Sequence, residues 1–155
     1  MTSSLLRVAR ATVADAATAA ALFDAYRQFY AQPADLATAR AFIGERLARG
    51  DSWIALAWQG DAAVGLCQCY PLFSSTAPRP GPAPLLNDLY VVPEARGSGA
   101  AQALMQAAEA HARATGCVAM ELSTARSNTR AQALYTSQGW VRDEVFFVYG
   151  KTLAS

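Results

Sequence analysis

The chain has 155 residues, of which 53% are hydrophobic and 16% are charged, and its formal net charge is +1. This length and composition predict a single domain over residues 1–155 that can bury a sizeable core. The basic residues are scattered, so no surface for nucleic acid or an anionic membrane is expected. No apolar run reaches the roughly 20 residues that span a bilayer, and residues 1–6 are too short for a signal peptide. The sequence predicts a soluble, cytoplasmic protein with a small-molecule partner.

The cysteines Cys67, Cys69 and Cys117 lack the paired spacing of a zinc site or a small disulfide framework. Cys67 and Cys69 would share one face of a strand, where buried thiols commonly fill apolar space. We therefore expect reduced thiols with a packing role and no bound metal.

Apolar periodicity and turn residues predict the elements in chain order. They are a strand at 5–11, helices through 22–29 and 36–47, strands at 52–58, 63–73 and 85–92, a helix at 100–115, a strand at 118–122, a helix at 128–138 and two strands within 140–153. The proline-rich residues 74–84 predict a surface loop near a site. A strand-helix-strand crossover from Leu85 to Leu122 requires parallel neighbours in an otherwise antiparallel sheet. The expected fold is α+β, with a mixed central sheet flanked by helices and the order β-α-α-β-β-β-α-β-α-β-β.

The segment from Arg96 to Gln102, Arg-Gly-Ser-Gly-Ala-Ala-Gln, opens the long predicted helix. Backbone N–H groups at a helix start lack intrahelical acceptors, and the peptide dipoles leave partial positive charge there, so an anion is stabilised. Gly97 and Gly99 let the backbone form a concave nest, and Arg96 adds charged donors. The segment predicts a phosphate-binding turn for a nucleotide-type cofactor.

Two other phosphate-binding motifs compete for this turn. A P-loop is excluded because Gly-Lys-Ser/Thr does not occur and the sole lysine is Lys151. A dinucleotide-binding fold keeps a ribose-binding acid about twenty residues after its glycines, which Glu121 matches. Gln102 replaces the third glycine of that motif, however, and an antiparallel half precedes the turn. A nicotinamide-dependent oxidoreductase remains an alternative.

Residues 89–101, Leu-Tyr-Val-Val-Pro-Glu-Ala-Arg-Gly-Ser-Gly-Ala-Ala, closely resemble the acetyl-CoA-binding motif of the GCN5-related N-acetyltransferases, the GNAT superfamily. Residues 128–135, Asn-Thr-Arg-Ala-Gln-Ala-Leu-Tyr, followed by Gly139 and Trp140, resemble the next motif of that family at the expected distance. The predicted element order also matches the family fold over nearly the whole chain. The resemblance implies an N-acetyltransferase with acetyl-CoA as its donor.

The resemblance also implies roles for individual residues in binding acetyl-CoA. In the family, the strand before the turn splays from its neighbour and offers free backbone groups to the pantetheine arm. In this chain these residues are Leu89, Tyr90 and Val91. The pyrophosphate would lie beside Arg96 and meet the backbone N–H groups of Gly97, Ser98, Gly99, Ala100, Ala101 and Gln102. Asn128 would contact the pantetheine, cap the helix that carries Tyr135, or do both.

Acetylation by direct attack in a ternary complex needs a neutral amine, a nearby thioester carbonyl and a proton source for the departing thiolate. Tyr135 matches the family's proton donor, since a hydroxyl with an ordinary pKa of about 10 is protonated at neutral pH. Asp88 and Glu121 lie in otherwise apolar strands and are the candidate bases. A buried Asp88 satisfied by backbone N–H groups is the other interpretation of that residue. His111 is expected on a solvated helix face, without a catalytic role.

The acceptor is expected to be a primary amine of a small molecule or peptide. Residues 70–75 and 87–90 are also similar to the diamine and thialysine acetyltransferase branch of the family. That branch holds the substrate cation with an acidic residue where this chain has Asn87. Asn87 and Tyr70 are the candidate acceptor-binding residues, and further aromatic residues would line the pocket. These aromatic residues are Tyr26, Phe29, Tyr30 and Phe73.

Three function classes remain open from the sequence. They are a working N-acetyltransferase, a catalytically silent acetyl-CoA-binding module and a nicotinamide-dependent oxidoreductase. Tyr135 favours the first. The apolar segment from Val145 to Tyr149 would form an interior strand or contribute to a homodimer contact.

Overall fold

The computed structural model describes residues 5–154. Residues 1–4, which include most of the segment judged too short for a signal peptide, lie outside the described residues. The chain forms two compact units, a larger one that ends at Ser123 and a smaller one that begins at Thr124. Within residues 5–154, no helix is both long and apolar enough to cross a bilayer.

The larger unit contains a mixed sheet, as predicted. Its strands are β1 (Leu6–Arg10), β2 (Trp53–Gln59), β3 (Ala62–Tyr70), β4 (Phe73–Ser74), β5 (Gly81–Pro82), β6 (Leu85–Val91) and β7 (Glu121–Leu122). In the described chain, the central sheet has five strands in the order β1-β2-β3-β6-β7. β1 pairs antiparallel with β2, β2 with β3, and β3 with β6, whereas β6 and β7 pair parallel. The predicted crossover is therefore confirmed.

Helices cover both faces of this sheet. They are α1 (Ala16–Phe29), α2 (Leu36–Arg49) and α3 (Ala100–Ala114), with short 3-10 helices at Val13–Asp15 and Pro93–Ala95. Leu66 of β3 lies in a core cluster with Leu22 of α1 and Ile43 of α2. The preceding residue, Gly65, faces α3, because a Cβ there would lie only 3.0 Å from Leu104 Cδ1. Successive strand residues point to opposite faces, so α1 and α2 cover one face and α3 covers the other.

The smaller unit contains α4 (Thr129–Ser137). Asn128 caps this helix as predicted, since its Oδ1 accepts the Ala131 N–H at 3.1 Å. The two strands predicted within 140–153 are wrong, because residues 141–154 form no strand in the described chain. The apolar side chains from Val145 to Tyr149 are between 77% and 97% exposed. Their composition favours a strand, but a strand forms only where a hydrogen-bonding partner lies alongside it.

Two smaller differences separate prediction and structure, and one further prediction is confirmed. The strand predicted at 118–122 is reduced to two residues, β7. The proline-rich loop contains the short antiparallel pair β4 and β5. The predicted packing role of Cys67 and Cys69 is confirmed, because both are buried free thiols.

The predicted solvated position of His111 is only partly correct, because the side chain is half-buried. Its ring stacks on Trp53 with centroids 5.1 Å apart and planes 16° apart. Burial and the charge of Arg10 lower the pKa of His111. His111 follows the buried Ala108 by three positions and so lies on the same side of α3. Both residues line a cavity of about 330 Å³ near the C-terminal end of α3.

Candidate functional site

The predicted phosphate-binding turn lies between β6 and α3. Gly97 and Gly99 have φ angles of +80° and +88°, values that glycine adopts without the steric cost of a side chain. Among the described residues, no heavy atom lies within 4 Å of a Cβ built at either glycine. Gly99 is the N-cap residue of α3, so the N–H groups of residues 100–102 have no intrahelical acceptor. The turn therefore presents open N–H groups and the positive end of a helix dipole.

The strand before the turn has an unpaired backbone edge. β7 pairs with β6 at Leu85 and Leu86, and no described strand continues this pairing beyond Leu86. On its other side, β6 pairs with β3 through a bulge at Asn87, where the register passes from Asp88 to Leu86. The edge from Asn87 to Val91 is consequently open to a hydrogen-bonding ligand.

The strand register identifies which backbone groups face this open edge. The Val92 N–H donates to the Val64 carbonyl of β3 at 2.9 Å. Backbone groups alternate between the two edges of a strand, so those of Leu89 and Val91 face the open edge. The Tyr90 backbone faces β3 instead. A role for Tyr90 in binding the pantetheine arm stays a prediction, without support from its backbone orientation.

Arg96 turns back toward the end of β6. Its Nε donates to the Val91 carbonyl at 3.2 Å, and its guanidinium lies 5.6 Å from the centre of the Phe29 ring. One of the backbone acceptors on the open edge is therefore already occupied by Arg96. The two terminal guanidinium nitrogens carry the remaining N–H donors of Arg96.

Asp88 is the buried carboxylate of the candidate site, with only 2% of its surface exposed. Gln68 Nε2 donates to its Oδ2 at 2.6 Å, and Asn87 Nδ2 donates to its Oδ1 at 3.0 Å. Tyr70 Oη donates to Oδ2 at 3.5 Å. Burial raises the pKa of Asp88, although these hydrogen bonds act in the opposite direction. These three donors are side chains, not the backbone N–H groups of the alternative interpretation.

Two tyrosine hydroxyls border this carboxylate. Burial, assisted by the charge of Asp88, raises the pKa of Tyr70 to about 12 and that of Tyr26 still further. Tyr26 Oη donates to the carbonyl of the bulge residue Asn87 at 3.2 Å. Both hydroxyls therefore remain protonated near neutral pH. The structure thus brings the predicted residues Asp88, Asn87 and Tyr70 together.

Glu121 differs from Asp88 in its surroundings. It is exposed in β7 and lies opposite Leu85 in the parallel pair. Exposure leaves a carboxylate hydrated, without the desolvation that makes Asp88 a better proton acceptor at neutral pH.

Sequence reasoning missed Gln68 and Ser52, which extend the hydrogen-bonded cluster around Asp88. The one available signal was the polar side chain of Gln68 within the apolar run of β3. Such a buried polar group requires a partner.

The second sequence motif lies in the smaller unit. Tyr135 is half-buried in the last turn of α4, and its carbonyl accepts the Trp140 N–H at 3.0 Å. Gly139, with φ of +87°, lies between them and reverses the chain. Within residues 5–154, no group of three or more His, Cys, Asp or Glu side chains could hold a metal ion.

Comparison with known proteins covers nearly the whole chain. The model of the acetyltransferase (GNAT) family matches residues 19–140. YhfO of Bacillus subtilis (strain 168), described as an uncharacterized N-acetyltransferase, is 38% identical over 144 residues. This alignment covers 93% of this chain and 95% of YhfO.

Solved structures have the same fold. The crystal structure of a probable acetyltransferase has a TM-score of 0.87 and 36% identity, with 96% of this chain and 99% of that chain covered. Aminoglycoside N-acetyltransferase AAC(6')-Iy in complex with CoA has a TM-score of 0.80 and 20% identity, with 97% of each chain covered. At that identity, the likeness shows the fold alone. The mostly antiparallel sheet also does not fit the parallel sheet of a dinucleotide-binding fold. The chain belongs to the GNAT family of acetyltransferases.

Proposed function

We propose that the protein is an acetyl-CoA-dependent N-acetyltransferase that acts on a primary amine of a small molecule or peptide. The observation that carries this proposal is the open turn at Gly97 and Gly99, which joins the unpaired edge of β6 to the N-terminus of α3. The turn complements a pyrophosphate in charge, and the strand edge complements the amide groups of pantetheine. The related fold described in complex with CoA supports the same donor.

In this proposal, the backbone N–H groups of residues 97–102 bind the pyrophosphate. The Ser98 N–H donates to the Ala95 carbonyl at 3.3 Å, so it would have to leave this bond to reach the phosphate. Leu89 and Val91 offer backbone groups to the pantetheine arm. Arg96 reaches phosphate with its terminal guanidinium nitrogens, because its Nε is bonded to the Val91 carbonyl. Asn128 contacts the pantetheine in addition to capping α4.

The proposed reaction is direct attack in a ternary complex. Asp88 removes a proton from the acceptor ammonium, through a water, because its burial makes it a stronger base than an exposed carboxylate. The neutral amine attacks the thioester carbonyl, so that a C–N bond forms and the C–S bond breaks. Tyr135 gives a proton to the departing thiolate. Glu121 is the alternative base, and its exposure makes it the poorer candidate.

Tyr70 and Asn87 are proposed to line the acceptor side. Both donate to the Asp88 carboxylate, so a substrate amine near Asp88 would also lie near these two side chains. Neither side chain carries a negative charge near neutral pH. An acceptor with one amine near Asp88 therefore fits this arrangement better than a diamine that needs two acidic groups.

We further propose that residues 1–155 form one acetyltransferase domain. The family match runs from residue 19 to residue 140 and so crosses the boundary after Ser123. A sequence family shared across both units supports one functional domain.

Replacing Gly99 with alanine is expected to raise the KM for acetyl-CoA by about tenfold, because a Cβ at φ of +88° strains the turn and obstructs a phosphate. Gly116→Ala is the matched control. Gly116 has φ of +76° and equally open surroundings at the other end of α3. Both variants should lose similar thermal stability, but only Gly99→Ala should change KM in steady-state assays. Equal KM values would contradict the assignment of the turn.

The protein is also proposed to be a homodimer that pairs the segment from Val145 to Tyr149 with a second copy. A contact of this kind would cover the exposed apolar side chains and provide the missing strand partner. Val148→Asp is expected to weaken dimerisation by about a hundredfold or more, since a charge would be buried without a partner. Val141→Asp, at another exposed apolar position, should leave the dimer intact. Sedimentation equilibrium measures both, and a wild-type monomer would contradict the proposal.

Release of free CoA thiol tests the proposed function directly. The purified protein is incubated with acetyl-CoA and a panel of amino acids, aminoglycosides, monoamines, diamines and basic peptides. Amine-dependent thiol release, with the acetylated amine found by mass spectrometry, is the expected result. Thermal stabilisation by CoA without turnover of any amine would instead favour a catalytically silent module.

A further inference from the structure

A buried amide joins two residues of the candidate site. Gln68 is fully buried in β3 and lies directly opposite Asp88 in β6. Its Nε2 donates to Asp88 Oδ2 at 2.6 Å and to Tyr70 Oη at 3.3 Å. Its Oε1 accepts from Ser52 Oγ at 2.8 Å. The carbonyl is thus held by Ser52, and both N–H groups point toward proposed site residues.

We propose that Gln68 is a positioning residue for acetyl transfer, which keeps Asp88 ionised and fixes the orientation of its carboxylate. This inference rests on the proposed function, in which Asp88 removes the proton from the acceptor. Gln68, Asn87 and Tyr70 donate to this carboxylate and so fix its orientation. Tyr26 also favours its ionised form.

A purely structural role would also explain why a buried amide is fully bonded. The difference lies in what the hydrogen bond does to Asp88. The amide N–H stabilises the ionised carboxylate, whereas burial destabilises it. Removing the N–H should therefore raise the pKa of Asp88 and move the pH dependence of catalysis. Loss of packing alone would lower activity at every pH.

The tyrosines and the cysteine near Asp88 stay neutral over the tested pH range, so they do not obscure the titration of Asp88. Tyr26 from α1 and Tyr70 from β3 have raised pKa values, mainly from burial, and stay neutral between about pH 5 and 9. Cys67, on the other face of β3, is also neutral, because a hydrogen bond with Cys69 and burial raise its pKa. The sheet separates α3 from this face.

Two charged groups lie on elements packed nearby. The charge of Arg46 in α2 acts to lower the pKa of Tyr70. Arg46 stays charged in this pH range because an arginine pKa lies above about 12. Glu121 of β7 is exposed. Neither group competes with Asp88 for the amide N–H of Gln68.

The test uses Gln68→Met, which keeps a side chain of similar length but removes the N–H donors. The wild type and the variant are assayed for thiol release between about pH 5.5 and 9, and the Asp88 carboxyl is titrated by carbon-13 NMR. Asp88→Asn identifies the NMR signal. Gln28→Met is the matched control, because Gln28 Nε2 donates to a different carboxylate, Asp24, at 3.3 Å.

Gln68→Met is expected to lower kcat/KM by about tenfold near pH 6 but by less than about twofold near pH 9, with an upward shift of the Asp88 titration. The KM for acetyl-CoA and the Gln28→Met profile should match the wild type. A uniform loss at every pH, or an unshifted titration, would overturn the inference.

Ser52→Ala keeps the test decisive if Gln68→Met does not fold. It removes the hydroxyl that holds the Gln68 carbonyl, so a smaller upward shift of the Asp88 titration is expected. An unshifted titration in this variant would also overturn the inference. A wild type without thiol release would contradict the proposed function, while the NMR titration would still decide whether Gln68 controls Asp88.

Discussion

Replacing Tyr135 with phenylalanine is expected to lower kcat for acetyl transfer by at least about a hundredfold, the usual contribution of a positioned general acid. The substitution removes the hydroxyl but keeps the ring in the last turn of α4. The thiolate would then leave without a proton donor. The KM for acetyl-CoA should stay within about twofold, because an interaction made mainly in the transition state affects kcat rather than ground-state binding. Initial rates of thiol release at saturating amine measure the effect.

Tyr149→Phe is the matched control for this experiment. Tyr149 lies in the same unit and is 91% exposed, so loss of its hydroxyl should leave the rate unchanged. Melting temperatures of both variants should match the wild type. Full activity in Tyr135→Phe would transfer the proton-donor role to water and would contradict the role proposed for Tyr135.

The helices could be predicted because their signals are local. The apolar stripe from Leu36 to Leu47 predicts α2, and Gly50 marks its end, as the structure confirms. The segment from Val145 to Tyr149 has equally clear strand composition, yet it forms no strand in the described chain. A helix satisfies its own backbone hydrogen bonds, whereas a strand depends on a partner from a distant part of the chain or from another chain. Composition does not identify that partner.

The candidate site also has one part that could be predicted from the sequence and one part that could not. The turn at Gly97 and Gly99 could be predicted, because consecutive residues determine its backbone conformation. The cluster of Gln68 around Asp88 could not, because it depends on the register between β3 and β6 and on the bulge at Asn87. A shift of one residue in that register would point Gln68 to the other face of the sheet. The sequence patterns did not identify the bulge that sets the register between β3 and β6.

Replacing Asp88 with asparagine is expected to lower kcat/KM for the amine by about a hundredfold, because an amide does not accept a proton near neutral pH. In the wild type, burial raises the pKa of Asp88, so kcat/KM should rise as the pH increases through that pKa. The variant should lose this rise. Asp24→Asn replaces another buried carboxylate, one that accepts the Asp35 N–H at 2.9 Å, and should keep the rate. An unchanged pH profile in Asp88→Asn would direct the search for the base to Glu121.

The same substitution is expected to raise the melting temperature at pH values above the folded-state pKa of Asp88, while it lowers activity. Because the pKa of Asp88 is higher in the folded protein than in the unfolded chain, the folded state binds the proton more tightly. The free energy of unfolding therefore falls as the pH rises between these two pKa values. Asp88→Asn removes that penalty, so its stabilisation should be fully present above the folded-state pKa and absent below the unfolded-state pKa. Thermal unfolding across this range measures the difference.

A buried carboxylate that lowers stability where the protein is active is expected of a group retained for chemistry, since folding alone would favour the neutral amide. The opposite outcome has an equally definite meaning. If Asp88→Asn is less stable at high pH, the hydrogen bonds from Gln68 and Asn87 outweigh the cost of burial. Asp88 would then be an anchor between β3 and β6, and its effect on activity would come from the position of the strand edge rather than from proton transfer. Stability and rate measured on one variant across pH thus separate the two roles that a buried carboxylate can have.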